Sequence, residues 1–303
     1  MTTGNAVPQL TILVPTRNEA ENVEPLLGRL SATVEPGTVV LFVDDSDDDT
    51  PHVIQAARQH GFGSLAIRLL HRSGAQRTGG LGGAVLAGLE RTETPWVCVM
   101  DGDLKHPPEV VPRLLEAART AQADLVVASR YVPGGRNEGF GAVRTAVSWG
   151  STVLAKAMFP HRLRRIRDPM SGFFLFRREA LTATMTPRGF KILLEIAVRH
   201  PDLIRCEVPF VFVERVVGTS KGTIREGFRY LRLLAEMRWR LWRRQPVPSH
   251  ESGQPENQLV AQAMTVGACK QGGCADPSTA DSELEHHRPY AVGETRPSAP
   301  ARH

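Results

Sequence analysis

The sequence predicts an α/β fold, a mainly parallel sheet flanked by helices, with an amphipathic helix near the C-terminal end and a disordered tail beyond it. Three observations predict it. Short apolar segments alternate with helical patterns through the first 210 residues, the order expected of a parallel sheet covered by helices. The apolar segments are continuous runs, which suit strands buried on both faces. None of them approaches the roughly 18 residues of a membrane-spanning helix.

Leu10–Val14 is the first expected strand, and an amphipathic helix follows over Glu19–Thr33. Val39–Val43 is the second strand. Thr50–His60 reads as a helix, with Thr50 as N-cap and Pro51 at the first helical position. Leu65–Leu70 is the third strand, and Gly82–Glu90 is helical despite its glycines. Trp96–Met100, a helix over Pro108–Ala121 and Leu125–Ala128 complete the pattern. Ligands of such sheets bind at the carboxyl ends of the strands, so the chemistry belongs there.

Composition narrows the function. The net charge is +5. Residues 245–303 carry a net −3, so residues 1–244 carry +8. The tail is rich in Pro, Gly, Ser and Gln without apolar periodicity, and is read as disordered. Four cysteines exclude a disulfide scaffold and suit a reducing compartment. Cys269 and Cys274 have no second pair at zinc-finger spacing. The first nine residues lack the basic and apolar regions of a signal peptide. The expected organisation is a catalytic domain over 1–222, a basic helix over 223–244 and a tail over 245–303.

The strand ends carry the polar motifs. After the first strand comes Pro15-Thr16-Arg17-Asn18-Glu19, without the G-x-G-x-x-G of a dinucleotide enzyme. After the second comes Asp44-Asp45-Ser46-Asp47-Asp48-Asp49. Asp48 and Asp49 suit a helix N-terminus; Asp44 and Asp45 abut the buried strand, and one of them is expected to bind a ligand. After the fourth strand comes Met100-Asp101-Gly102-Asp103. Paired carboxylates repel unless a cation lies between them, and hard oxygen donors suit Mg²⁺ or Mn²⁺ shared with substrate phosphates. The glycine-rich stretch His71–Gly88 lacks the Gly-Lys-Ser/Thr of a P-loop, so its glycines serve a tight loop and close helix packing. Arg130 follows the fifth strand and is expected to face the same crevice, with Arg215 and Lys221 as further phosphate-clamp candidates.

These segments resemble the dolichol-phosphate (polyprenol-phosphate) mannose synthases of glycosyltransferase family 2. The matches are PTRNEAEN (15–22), VDDSDDDT (43–50), GGLGGAVLAGL (79–89), MDGDLKHPPE (100–109), SRYVPGG (129–135), DPMSGFFLFRREAL (168–181), GFKILLE (189–195) and VPFVFVERVVGTSKG (208–222). They run in family order over about residues 10–222. The resemblance implies a GT-A Rossmann-like fold, a GDP-mannose donor, a polyprenyl phosphate acceptor and a divalent metal, Mg²⁺ or Mn²⁺. It implies that Pro15, Arg17 and Glu19 hold the nucleotide, with Val43 and Asp45 at its base and ribose. Asp101 and Asp103 would hold metal and sugar diphosphate, with Met100 and Gly102 lining the same turn. Arg130, Arg215 and Lys221 would meet the diphosphate and the acceptor phosphate. The catalytic set so implied is Asp101, Asp103 and Arg130. The sequence departs from the family at Arg17, where Tyr is common, and at Lys105, where Gln or Ser is common. It departs also at Met170, for Thr, and at Phe173-Phe174, for Phe-Arg.

Two basic segments suggest how a lipid reaches the site. Residues 223–244 carry seven Arg and two Glu around an apolar stripe with Trp239 and Trp242. Such a helix lies in a membrane interface, packs on the core, or does both. Arg162, Arg164, Arg165 and Arg167 form a second patch, a contact for the acceptor phosphate or a lipid headgroup, or a solvated loop. The expected place is peripheral, on the cytoplasmic face of a membrane, with a membrane-protein partner possible there. Nucleic acid is not expected, because the paired strand-end carboxylates repel it. Glucose transfer from a UDP-sugar to the same kind of lipid is the alternative reading.

Overall fold

The computed structural model describes residues 9–138, 142–181, 191–213 and 224–243. Residues 245–303, with Cys269 and Cys274, lie outside the described residues, as do Arg215 and Lys221. The strands are β1 (Leu10–Thr16), β2 (Val39–Asp44), β3 (Ala66–His71), β4 (Trp96–Val99), β5 (Leu125–Ser129), β6 (Arg136–Glu138), β7 (Phe174–Arg177), β8 (Arg205–Pro209) and β9 (Val211–Val213). The helices are α1 (Ala20–Ser31), α2 (Thr50–His60), α3 (Gly80–Leu89), α4 (Val111–Thr120), α5 (Ala142–Met158), α6 (Pro160–Leu163), α7 (Ile192–Arg199) and α8 (Ile224–Arg243).

Seven strands form one sheet in the order β3-β2-β1-β4-β7-β5-β8, and β6 pairs with β9 separately. Every neighbouring pair in the large sheet is parallel except the two made by β7, which runs antiparallel between β4 and β5. The apolar runs are explained by burial on both faces. Ile12, Val14, Val40, Phe42, Cys98 and Met100 enter one core layer with α1, α2 and α4. Leu13, Leu41, Val43, Val97 and Val99 enter the other, with α3, α7 and α8.

The strand order positions the site. β1 lies between β2 and β4, so the three polar turns after these strands share one edge. The reversed direction of β7 adds a fourth segment there. Phe174, at its start, pairs with Val99 at the end of β4, which brings the Asp168–Phe173 segment beside the D-x-D turn.

The C-terminal helix α8 has two apolar stripes. Tyr230, Leu233, Leu234 and Met237 are buried in the second core layer, and the Tyr230 hydroxyl donates to the Ser151 carbonyl of α5 (2.7 Å). Phe228, Leu231, Trp239 and Trp242 share the opposite face by helical spacing, and each is at least half exposed. Core packing is thus satisfied without using the second stripe. Arg229, Arg232 and Arg243 flank it in the open, and Arg243 lies over the Trp239 ring at 3.6 Å. No helix among the described residues is long and apolar enough to cross a membrane.

Candidate active site

The turn after β2 is closed on itself. Asp44 is fully buried. Its carboxylate accepts from the hydroxyls of Thr16 (2.9 Å) and Ser46 and from the Ser46 N–H (3.3 Å), and His71 Nδ1 lies 2.7 Å away. Asp45 takes two bonds from Arg72, from Nε at 2.8 Å and Nη2 at 2.6 Å. Arg77 donates to the carbonyls of Arg72 (3.0 Å) and Ser46 (2.7 Å) and to Asp47, pinning the glycine-rich segment onto this turn. Asp48 accepts from the N–H and hydroxyl of Thr50, and the hydroxyl bond leads in holding its carboxyl below the usual range. The cap of α2 is Asp49 rather than the expected Thr50. The Thr50 hydroxyl instead accepts the Glu19 N–H (3.0 Å), tying the first turn to the second. Close helix packing does require two glycines of α3: a Cβ on Gly83 would lie 2.0 Å from the Thr78 carbonyl, and one on Gly88 2.6 Å from Leu13 Cδ1.

The turn after β4 is built differently. The Asp101 side chain is 43 % exposed. Burial of its surroundings raises the carboxyl above its usual value; Asp103 adds to this, while His106, Lys191 and Lys105 oppose it. Glu19 is raised by the same cause, and the Asp103 and Asp101 charges reinforce the shift. Asp103 is bound to Lys105, whose Nζ lies 2.7 Å from Oδ2. Leu104 between them has φ +62°, an uncommon conformation for a residue with a side chain, of the kind found at functional turns. His106 is buried against Phe173, Phe210 and Phe212. Its Nδ1 accepts the Asp101 N–H (3.0 Å), and burial pushes its pKa down. The ring is therefore neutral, carries its proton on Nε2 and anchors the turn from beneath.

The donor set fits a hard divalent ion. Asp101 and Asp103 offer carboxylate oxygens, and desolvation with the Asp103 charge raises the Asp101 carboxyl, a cost that a bound cation would offset. No cluster of three or more His, Cys, Asp or Glu completes a coordination shell among the described residues. Such a pair suits Mg²⁺ or Mn²⁺ sharing its shell with substrate phosphates and water.

Residues 11–184, more than half of the chain, match the family model described as glycosyl transferase family 2. The chain belongs to glycosyl transferase family 2. A dolichol-phosphate mannosyltransferase of Pyrococcus furiosus is 34 % identical over 76 % of this chain and 64 % of that one, so this chain spans less than two thirds of that relative. The Saccharomyces cerevisiae protein of the same name is 32 % identical over 76 % of this chain and 86 % of its own length. An undecaprenyl-phosphate mannosyltransferase of Micrococcus luteus is 36 % identical over 69 % of this chain and 85 % of its own. Among solved structures, glucosyl-3-phosphoglycerate synthase of Mycobacterium tuberculosis, in complex with Mn²⁺, UDP-glucose and phosphoglyceric acid, superposes with TM-score 0.57 at 18 % identity, covering 77 % of this chain and 79 % of that one. Mannosyl-3-phosphoglycerate synthase of Rubrobacter xylanophilus gives 0.55 at 19 %, over 79 % and 77 %. These likenesses establish the GT-A fold.

Burial bears on several of the expected contacts in this family 2 chain. The side chains of Val43 and Met100 are fully buried in the core layers, so neither can touch a nucleotide except through its backbone. Gly102 is explained by packing, because a Cβ there would lie 3.0 Å from Thr16 Cγ2. Both oxygens of Asp45 accept from Arg72, so a ribose contact there would share the carboxylate with that guanidinium. Arg130 does not reach into the crevice as a free clamp. Its Nε and Nη2 bind Asp168 at 2.7 and 2.8 Å, and its N–H donates to the same carboxylate. Burial works against its charge, and the Asp168 bonds outweigh that. Asp168 is itself fixed by the Glu207 carboxylate, which accepts its N–H (3.0 Å). Arg130 thus ties the end of β5 to the segment beside Asp101. In the second basic patch, Arg162 donates to the Val198 carbonyl (2.7 Å), whereas Arg164, Arg165 and Arg167 are exposed.

Pro15 is half-buried, and Arg17 is exposed 3.9 Å from Asp47. Glu19, Asp101, Asp103 and Lys105 do meet electrostatically at one place. His106, Arg72 and Lys191 were not singled out by the sequence. His106 follows the D-x-D by three residues, a spacing that could have flagged it. Arg72 directly follows the third strand, as Asp45 follows the second, and that equivalence was the available signal.

Proposed function

We propose that this chain transfers mannose from GDP-mannose to a polyprenyl (dolichyl) monophosphate. The D-x-D turn carries the reading: two partly open carboxylates at a strand end, one raised by desolvation and one paired within its own turn, in a family whose relatives are named for mannosyl transfer to lipid phosphates. Asp101 and Asp103 would hold Mg²⁺ or Mn²⁺, which when bound supplies positive charge against the departing diphosphate. The acceptor phosphate oxygen forms the new bond to the anomeric carbon as the bond to GDP breaks, inverting that centre and giving β-mannosyl phosphoryl polyprenol. An acceptor already ionised needs little help from a general base. The protein's task is to lower repulsion between two anionic substrates, for which Arg215 and Lys221 are the proposed cations. His106 and the Arg130–Asp168 pair keep the turn and its neighbouring segment in place. Glu19 and the exposed Arg17 are proposed for the nucleotide.

The lipid is met at a membrane surface. The outer stripe of α8 combines exposed Phe and Trp with flanking Arg, the chemistry of a helix lying in an anionic bilayer interface. Each Arg near anionic lipid adds about 1 kcal/mol. Val147, Trp149 and Val153 of α5, which contacts α8, are exposed as well.

The test offers purified protein Mg²⁺ or Mn²⁺ and polyprenyl phosphate in anionic vesicles, with GDP-mannose and UDP-glucose in separate arms. Lipid-linked mannose is the expected product. Transfer from UDP-glucose alone would replace mannose by glucose, and transfer from neither would end the reading.

A further inference from the structure

The D-x-D turn already contains a cation. Lys105 Nζ lies 2.7 Å from Asp103 Oδ2, and the Lys105 N–H donates to Asp103 Oδ1 (3.1 Å). One residue therefore grips both oxygens of the carboxylate. The left-handed Leu104 folds the chain back so that this is possible. The two side chains are only 28 % and 24 % exposed, so solvent screens the pair less than it screens a surface pair. Asp101 is served differently: the His106 Nδ1 lies 3.7 Å from its Oδ2 and accepts its N–H, and Lys191 and Lys105 act on it through their charge. The two carboxylates are thus unequal before any ligand arrives. Glu19 and Lys191 are the other charged groups felt at the turn.

A divalent ion that uses both aspartates must displace the ammonium from Asp103 or share that carboxylate with it. Either costs affinity. The displaced ammonium remains on a flexible stem beside the place where a diphosphate would sit, and it carries charge of the sign a diphosphate needs. A neutral Gln or Ser at this position would do neither.

We propose that Lys105 is a built-in cation of the donor site, which competes with the divalent ion for Asp103 and pairs with the nucleoside diphosphate when no metal is bound. The proposal rests on the reading of the D-x-D turn as the metal and diphosphate site. It makes this chain less demanding of metal than a relative with a neutral residue there.

Two binding measurements test it without turnover. Free Mn²⁺ is followed by electron paramagnetic resonance as protein is added, for the wild type, Lys105→Gln, Lys105→Arg and Asp103→Asn. GDP binding is measured by calorimetry in EDTA for the same proteins. Lys105→Gln is expected to bind Mn²⁺ about tenfold more tightly, the scale of one charge-assisted bond, and to bind GDP in EDTA about tenfold more weakly. Lys105→Arg keeps the charge and stays close to the wild type in both, which separates charge from fold. If Lys105→Gln binds Mn²⁺ no more tightly while Asp103→Asn abolishes binding, the Lys105 proposal falls and the metal reading stands. If none of the proteins binds Mn²⁺, both fall.

Discussion

Two acidic turns flank β1, and they are opposites. In the turn after β2, Asp44 is fully buried with partners on both carboxylate oxygens, and Asp45 is saturated by a bidentate Arg72. In the turn after β4, desolvation and the Asp103 charge raise the Asp101 carboxyl, and Asp103 is held by residues of its own turn. Both turns read as acidic runs at strand ends. The difference lies in whether the carboxylates are locked in a buried network or stand partly open, where a ligand can reach them. A carboxylate with complete partners stabilises the fold; one without them is available for chemistry.

The contrast is broken most severely at Asp103. Asp103→Ala removes a proposed metal and diphosphate contact but no buried network. Turnover should fall by roughly 10²–10³-fold, the scale of losing a preorganised electrostatic contact to the transition state, with the thermal midpoint near that of the wild type. Steady-state transfer and circular dichroism melting check the two halves. Near-normal turnover would make the turn after β4 as structural as the turn after β2.

The converse change is Asp44→Ala. It strips partners from buried Thr16 and Ser46 and from His71 at once. Stability should drop by roughly 3 kcal/mol, read as a lower urea midpoint at unchanged m-value. An unchanged midpoint would mean that the Asp44 network adds nothing to the fold.

The sequence made the parallel strands legible because both their faces are apolar, and it made the D-x-D legible because a buried strand ends there. Phe174–Arg177 was not assigned to the sheet. Its apolar run does not encode direction, and its place between β4 and β5 depends on pairing with residues some 50 to 80 positions earlier. The partners of Arg130 and Asp45 are not legible in the sequence for a related reason. Each stands at a strand end where a ligand contact is reasonable, but their partners, Asp168 and Arg72, come from other segments. Strand-end position is local information; saturation of a charge is not. For α8 the sequence offered a membrane face or a core face, and helical geometry gave room for both.

The smallest effect expected is also the most discriminating. The Asp101 carboxyl titrates above its usual 3.8 in the folded protein, through burial and then the Asp103 charge. Between the unfolded and folded values the native state keeps a proton that the unfolded chain has lost. Stability therefore falls as pH rises through that window, and above it the ionised Asp101 works against the metal-free fold. Asp101→Asn removes that burden and keeps a side chain of the same shape. In EDTA near pH 7 the variant should melt slightly above the wild type. The advantage should shrink as the pH falls toward the ordinary carboxylate range, where the wild-type group is protonated anyway. Glu19 is raised in the same direction, in part by the Asp101 charge, so the difference between the two proteins reports Asp101 together with its coupling to Glu19. Added Mn²⁺ should raise the wild-type melting temperature and leave the variant nearly unmoved, because binding relieves the same repulsion that the substitution removes. An Asp44→Asn variant, whose charge is matched by the fold, should melt lower under every one of these conditions. A rise for Asp101→Asn and a fall for Asp44→Asn would place the two turns on opposite sides of zero; a fall for both would mean that neither carboxylate is reserved for a ligand.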